Sequence, residues 1–295
     1  MSRTTDLALT ALAPAIWGST YIVATELLTG GNPITIAMLR ALPAGLLLLL
    51  FVRQLPPLRW LGKIAILGAL NFALFWSAIN FSAYALPGGV AATLGAVQPL
   101  IVLAIASSLL GTHIPMAAIG AALLGMFGVA LLILGPEASL NPAGVIAALI
   151  GAVSMATGVV LTRKWQPEVS PLTFTAWQLT AGGLLLLPVA LVVDPGMGIP
   201  STKFLVGLLW MGLVSAAFTY FLWFRGIARL GPATVTGFGF LSPLSAVILG
   251  WLVLGQNLTW MQWGGAAIIA ASVWGSQRAM RPKPAENSSA LAKAA

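Results

Sequence analysis

Apolar stretches of about twenty residues follow one another along almost the whole chain, with short breaks between them. A run of that length crosses a bilayer as a helix. In lipid every backbone polar group must be paired internally, which favours helices. The strict period-two alternation that marks a membrane barrel is absent. The fold class that follows is an all-α integral membrane protein. Composition closes the alternative: only 7% of the 295 residues are charged and 59% are hydrophobic. A water-soluble chain carries about 25% charged residues, so this one could not cover a surface facing water.

The punctuation predicts ten transmembrane helices, near 7–28, 33–54, 60–83, 87–109, 115–134, 141–162, 171–193, 201–228, 231–254 and 260–279. The breaks carry Gly, Pro, Asn or charge, as in TGGNP, RQLPPLR, LGPEASLNP and DPGMGIP. None is long enough for a soluble domain. The first apolar segment is too long for a signal-peptide core and reads as a helix that stays. The tail RPKPAENSSALAKAA reads as disordered.

Orientation follows from Lys and Arg. With the N-terminus inside, 12 of the 14 basic residues lie on the inner side, among them Arg53, Arg163, Arg225 and Arg278. Lys203 alone lies outside, and Arg40 falls within helix 2. That bias places both termini in the cytoplasm of a cell (inner) membrane protein. It accounts for the formal charge of +8 without nucleic acid as a partner. The chain has no cysteine, and its single histidine, His113, sits in a loop without metal-binding neighbours. Neither a metal nor a cofactor is expected.

The chain also repeats itself. NPITIAMLRALPAGLLLLL from residue 32 resembles SPLTFTAWQLTAGGLLLLP from residue 170, so that Pro33 meets Pro171, Arg40 meets Gln178 and Gly45 meets Gly183. Further on the offset becomes 144: Gly68 meets Gly212, Gly95 meets Gly239, Pro99 meets Pro243 and Gly111 meets Gly255. The expected domains are a first five-helix repeat (1–138), a second five-helix repeat (139–280) and the disordered tail (281–295). Five is odd, so the second repeat enters the membrane inverted. Inverted repeats are typical of secondary transporters, which bind substrate near the midplane between them.

GAVQPL (95–100) and GFLSPL (239–244) are the most informative pair. In each, a proline near mid-helix lacks an N–H and crowds the carbonyl four residues back. Those carbonyls belong to Gly95 and Gly239. Gly95, Pro99, Gly239 and Pro243 are therefore candidate hinges, and Gln98 and Ser242 candidate ligands of a central cavity. Helical spacing puts Asn71, Phe75 and Ala78 on one face, matched by Ser215, Thr219 and Leu222 in the second repeat. Trp17, Thr20, Tyr21 and Ala24 form a stripe on helix 1. Small polar residues also glue helices together in lipid; Asn71, Asn80 and Gln98 are costlier to bury. The candidate substrate-binding set is Trp17, Thr20, Tyr21, Asn71, Phe75, Asn80, Gln98, Thr219 and Ser242. Glu26 and Arg40 are the charges at membrane depth. Three readings of Arg40 stay open: a pair with Glu26, snorkelling to headgroups, or function.

WGSTYIVATELL, the following LRALPAGLLLLL, the proline of helix 4 and the doubled five-helix unit resemble the EamA-type drug/metabolite transporter superfamily over about residues 7–279. The chain also looks like its YddG-type members. The resemblance implies ten helices, cytoplasmic termini and movement of small metabolites; the YddG likeness implies export of amino acids, aromatic ones among them. Thr112 and Gln256 stand where many members carry an acidic residue after the LG that ends helices 4 and 9. The reading is a secondary transporter, working as a monomer in the lipid bilayer by alternating access. A multidrug or nucleotide-sugar-like carrier of the same fold is the alternative, ahead of a channel. No catalytic cluster points to an enzyme, and no GxxxxGK[ST] loop points to ATP.

Overall fold

The computed structural model describes residues 2–86, 94–133, 141–195 and 201–281. Within them the regular structure is helical, and helix occupies each of the ten expected stretches. The first stretch is α1 (Arg3–Trp17) and α2 (Ser19–Glu26), interrupted at Gly18. Then come α3 (Pro33–Val52), α4 (Leu61–Gly68), α5 (Leu74–Ala85), α6 (Gln98–Leu110) and α7 (Met116–Ile133). The second half holds α8 (Pro142–Lys164), α9 (Pro171–Val193), α10 (Thr202–Leu209), α11 (Thr219–Leu230), α12 (Pro232–Val235), α13 (Leu241–Leu254) and α14 (Trp260–Ala279). A π-helical segment, Ala69–Ala73, joins α4 to α5, and another, Trp210–Phe218, joins α10 to α11. A 3₁₀ segment, Thr236–Phe240, leads into α13.

Eight of the helical stretches are long and apolar enough to cross a membrane. Gln98–Leu110 is shorter, and α14, with Gln262, Gln277 and Arg278, falls outside the eight. The exterior is apolar: Leu50, Phe51, Val192, Leu252 and Trp274 are all exposed. A bilayer, not water, suits such a surface. The proposed disordered tail lies outside the described residues, apart from Arg281.

The boundaries follow from local chemistry. Asn32, Asn141 and Ser170 each cap a helix that begins with proline, their side chains accepting from backbone N–H groups one turn on. Thr259 and Gln262 form a capping box ahead of α14. Gly111 and Gly255, repeat partners, end α6 and α13 at φ of 62° and 65°, where an L side chain would be strained.

Small residues set the packing. α3 lies against α9, and a Cβ added at Gly45 would come within 2.6 Å of Thr180 Oγ1. A Cβ added at Gly183 would come within 2.6 Å of the Leu42 backbone. At the repeat offset of 138 residues Gly45 becomes Gly183 and Leu42 becomes Thr180, so the contact maps onto itself when the halves exchange. The α7–α14 pair behaves alike: Gly128 packs on Gly265, and Ser272 Oγ donates to the Ala121 carbonyl at 2.6 Å. Each half's first helix packs on the other half: α1 on α11 and α13, α8 on α5 and α6. Close approach of this kind is what holds helices together in lipid, where no hydrophobic drive separates helix from solvent.

Candidate functional site

One end of the molecule gathers basic residues and is tied shut. Arg3 donates to the Met280 carbonyl at 3.2 Å, joining the two described extremities of the chain. Asp6 Oδ1 accepts from Arg225 at 2.6 Å and from Arg229 at 3.2 Å, joining α1 to α11. Arg163, at the end of α8, donates to the Ala228 carbonyl, and Lys63 lies 5.9 Å from the Trp165 ring centroid.

Toward the opposite end lies a cavity of about 780 Å³. It runs from Pro99 and Pro243 to the exposed turn at Thr29–Gly30, and no residue of the basic end lines it. Both halves contribute. Trp17, Phe75, Trp76, Tyr220, Trp223 and Phe240 supply aromatic wall; Thr20, Arg40, Asn80, Gln98, Thr236 and Ser242 supply polar groups. Among the described residues that line it there is no Asp or Glu.

Four of these rings form one cluster. The Trp17 ring lies 5.0 Å from Tyr220 and 5.1 Å from Trp223, and Trp76 lies 6.1 Å from Tyr220 at 79°. Such tilted and edge-on arrangements are those the ring quadrupoles favour. Several polar groups here are tied down, while Trp223 Nε1 is buried without a partner. Trp17 Nε1 donates to Thr219 Oγ1 at 2.8 Å, Thr20 and Ser215 hydroxyls bond at 2.9 Å, and Asn80 Nδ2 donates to the Pro33 carbonyl at 3.3 Å. Arg40 Nη2 donates to the Ser215 carbonyl at 2.7 Å and to Ser215 Oγ at 3.0 Å. Its guanidinium carbon sits 4.4 Å from the Trp76 ring centroid.

Of the candidates from sequence, Trp17, Thr20, Phe75, Asn80, Gln98 and Ser242 line this cavity. Asn71 and Thr219 do not. Asn71 is fully buried, donating to Gln178 Oε1 at 2.8 Å and to Thr162 Oγ1 at 3.1 Å. Thr219 is also buried, behind the Trp17 indole that it holds. The reason lies in the backbone. The step from Asn71 to Phe75, and that from Ser215 to Thr219, each cross a π-helical segment, where a wider turn puts ordinary helical spacing out of phase. Of Tyr21 the structure describes the backbone, within α2. Glu26 ends α2, is exposed, and makes no ion pair with Arg40 among the described residues.

The four hinge candidates all line the cavity, with a changed geometry. Residues 87–93, the expected start of helix 4, lie outside the described residues. Past them, a turn at Ala96–Val97 interrupts the helix and α6 starts afresh at Gln98. Pro99 thus occupies a first helical turn, where a missing N–H costs nothing. Pro243 is the third residue of α13, just after the 3₁₀ segment. Each proline begins a half-helix instead of kinking a continuous one. A Cβ at Gly239 would meet nothing within 4 Å, and one at Gly95 only Ile79 Cδ1 at 3.8 Å.

Sequence reasoning missed Trp76, Tyr220 and Trp223. A signal existed: the offset of 144 residues pairs Trp76 with Tyr220.

Known proteins share this design. The EamA-like transporter family matches twice, over residues 5–134 and 142–276. Protein PecM of Dickeya dadantii is 41% identical over 289 residues, covering 95% of this chain and 97% of that one. The inner membrane transporter YedA of Escherichia coli K12 is 29% identical over 263 residues, covering 88% and 86%. A solved crystal structure superposes with a TM-score of 0.79 at 17% identity, over 95% of this chain and 98% of the other, which establishes a shared fold. With both halves of the chain matched, this protein is a multi-pass membrane transporter belonging to the EamA-like transporter family.

Proposed function

We propose that the protein is a secondary transporter that exports small metabolites, amino acids and aromatic ones among them, by alternating access. The carrying observation is a cavity of about 780 Å³, walled by both halves, that reaches one end of the molecule while the other end is closed by the Asp6 ion pairs. Sites for small ligands span roughly 300–1,000 Å³. The aromatic wall suits a flat apolar body, and the polar groups suit its charged or hydrogen-bonding head. The bias of Lys and Arg supports placing the closed basic end and both termini in the cytoplasm. The cavity then faces outward from a cell (inner) membrane.

In this reading the two halves, 1–138 and 139–280, are inverted repeats totalling ten membrane helices, and one chain carries the whole pathway as a monomer. The break before Pro99 and the 3₁₀ segment before Pro243 are the hinges, since a half-helix can swing where the regular α-helical ladder is interrupted. The substrate-contacting set is Trp17, Thr20, Phe75, Asn80, Gln98 and Ser242. Among the described residues no carboxylate lines the cavity to carry a proton, and this reading expects transport independent of a proton gradient.

The test is counterflow of a labelled amino-acid panel in proteoliposomes, with and without a pH gradient. Saturable exchange of aromatic amino acids, unchanged by the gradient, is expected. Linear flux without saturation, or exchange confined to solutes other than amino acids, would overturn the reading.

A further inference from the structure

We infer that Arg40 is a binding residue for a carboxylate on the transported molecule, so that the cavity selects flat aromatic acids over the matching amines. This deepens the transport reading above and rests on it.

Arg40 is only 9% exposed, yet it lines the cavity. Its contacts do not neutralise it: a carbonyl, a hydroxyl and the Trp76 ring are dipoles and a quadrupole, not charges. Its Nε is buried without a hydrogen-bond partner. Among the described residues the ion pairs are those of Asp6 with Arg225 and Arg229, and no Asp or Glu is among those that line the cavity. A buried cation without a counter-ion is costly, and in membrane proteins such groups mark substrate paths.

The repeat partner shows that the charge is not needed for packing. Gln178 stands where Arg40 stands, and it too bridges to the other half's π-helical segment, accepting from Asn71 at 2.8 Å. A neutral amide does the bridging there. The guanidinium is therefore surplus to the fold, and its missing partner is an anion that comes and goes. A carboxylate matches the planar fork of guanidinium donors. One cation balances one negative charge, which favours a monoanionic head over a polyphosphate. Trp76 lies against the guanidinium, and Trp17 and Phe75 line the same cavity, where they can stack on a ring.

The experiment uses one scaffold with three heads: phenylpropionate (acid alone), phenylalanine (acid and amine) and phenethylamine (amine alone). Binding of each labelled compound to the purified full-length protein is measured by scintillation proximity, and exchange is measured in proteoliposomes. The wild type should bind both acids at least about tenfold more tightly than the amine. Arg40→Gln should abolish that ratio, and Arg40→Lys should restore part of it. Equal binding of acid and amine by the wild type, or no binding of either acid, overturns the inference. So does an Arg40→Gln variant that weakens all three ligands equally, the mark of a purely structural role. If Arg40→Gln fails to fold, the wild-type ratio and Arg40→Lys still decide. Acid-selective binding without exchange would keep the subsite and overturn the transport reading alone.

Discussion

Arg40 and Gln178 occupy matching positions on α3 and α9, and each reaches across to the π-helical segment of the opposite half. Around Gln178 the space is filled. Asn71, Thr162 and Gln178 bond to one another at 2.8–3.3 Å, and none is more than 3% exposed. Around Arg40 the same scaffold leaves a cavity of about 780 Å³. One fold thus holds two versions of a polar crossing, one sealed and one open. The repeat places polar groups at matching points, and in this structure one meeting place opens on the cavity while the other is sealed. Where the site is sealed the residues are neutral and bond to one another, although Asn71 Oδ1 and Gln178 Nε2 stay without a partner; where it is open, a cation has no carboxylate beside it among the described residues.

This contrast can be broken directly. The largest effect is expected from Gln178→Arg, which puts a guanidinium into the sealed cluster with no cavity to relieve it. An unpaired buried charge costs several kcal/mol, so the yield of monodisperse protein in size-exclusion chromatography should collapse. Asn71→Leu is next. It removes the donor to both Gln178 and Thr162, and thermal unfolding in detergent should show a loss of about 1 kcal/mol, the upper part of the range for hydrogen bonds between membrane helices. Ser215→Ala on the open side should cost least, about 0.5 kcal/mol or below, because the Ser215 carbonyl still holds Arg40 at 2.7 Å. If Ser215→Ala destabilised as much as Asn71→Leu, the two crossings would not differ in the way described.

The sequence made the helices legible because apolar runs and Pro, Gly and Asn punctuation are local properties. It also revealed the pairing of Gly45 with Gly183, since a repeat written in glycines survives where leucines are interchangeable. The wall of the cavity was legible on α1, around Gln98 and around Ser242, where helical spacing holds or the break is flagged by proline. It failed for Asn71 and Thr219 because a π-helical turn leaves no mark in composition: ALNFA and WMGLVSAAF look like any membrane helix. The same turns brought Trp76, Tyr220 and Trp223 to the cavity unannounced. The exclusion of Glu26 from any pair with Arg40 is a matter of distance across the fold, which no spacing in the chain encodes.

The open space over Gly95 and Gly239 has a consequence for how such a protein changes over generations. At Gly45 or Gly183 a single added methyl collides with a neighbouring helix, so those positions are locked to the fold. At Gly239 it meets nothing, and at Gly95 only one distant methyl. A methyl added at either of these cavity-lining positions would collide with no neighbouring helix. If the cavity holds the cargo as proposed, its shape and the packing of the fold are set by different residues, and the first can drift while the second stands still.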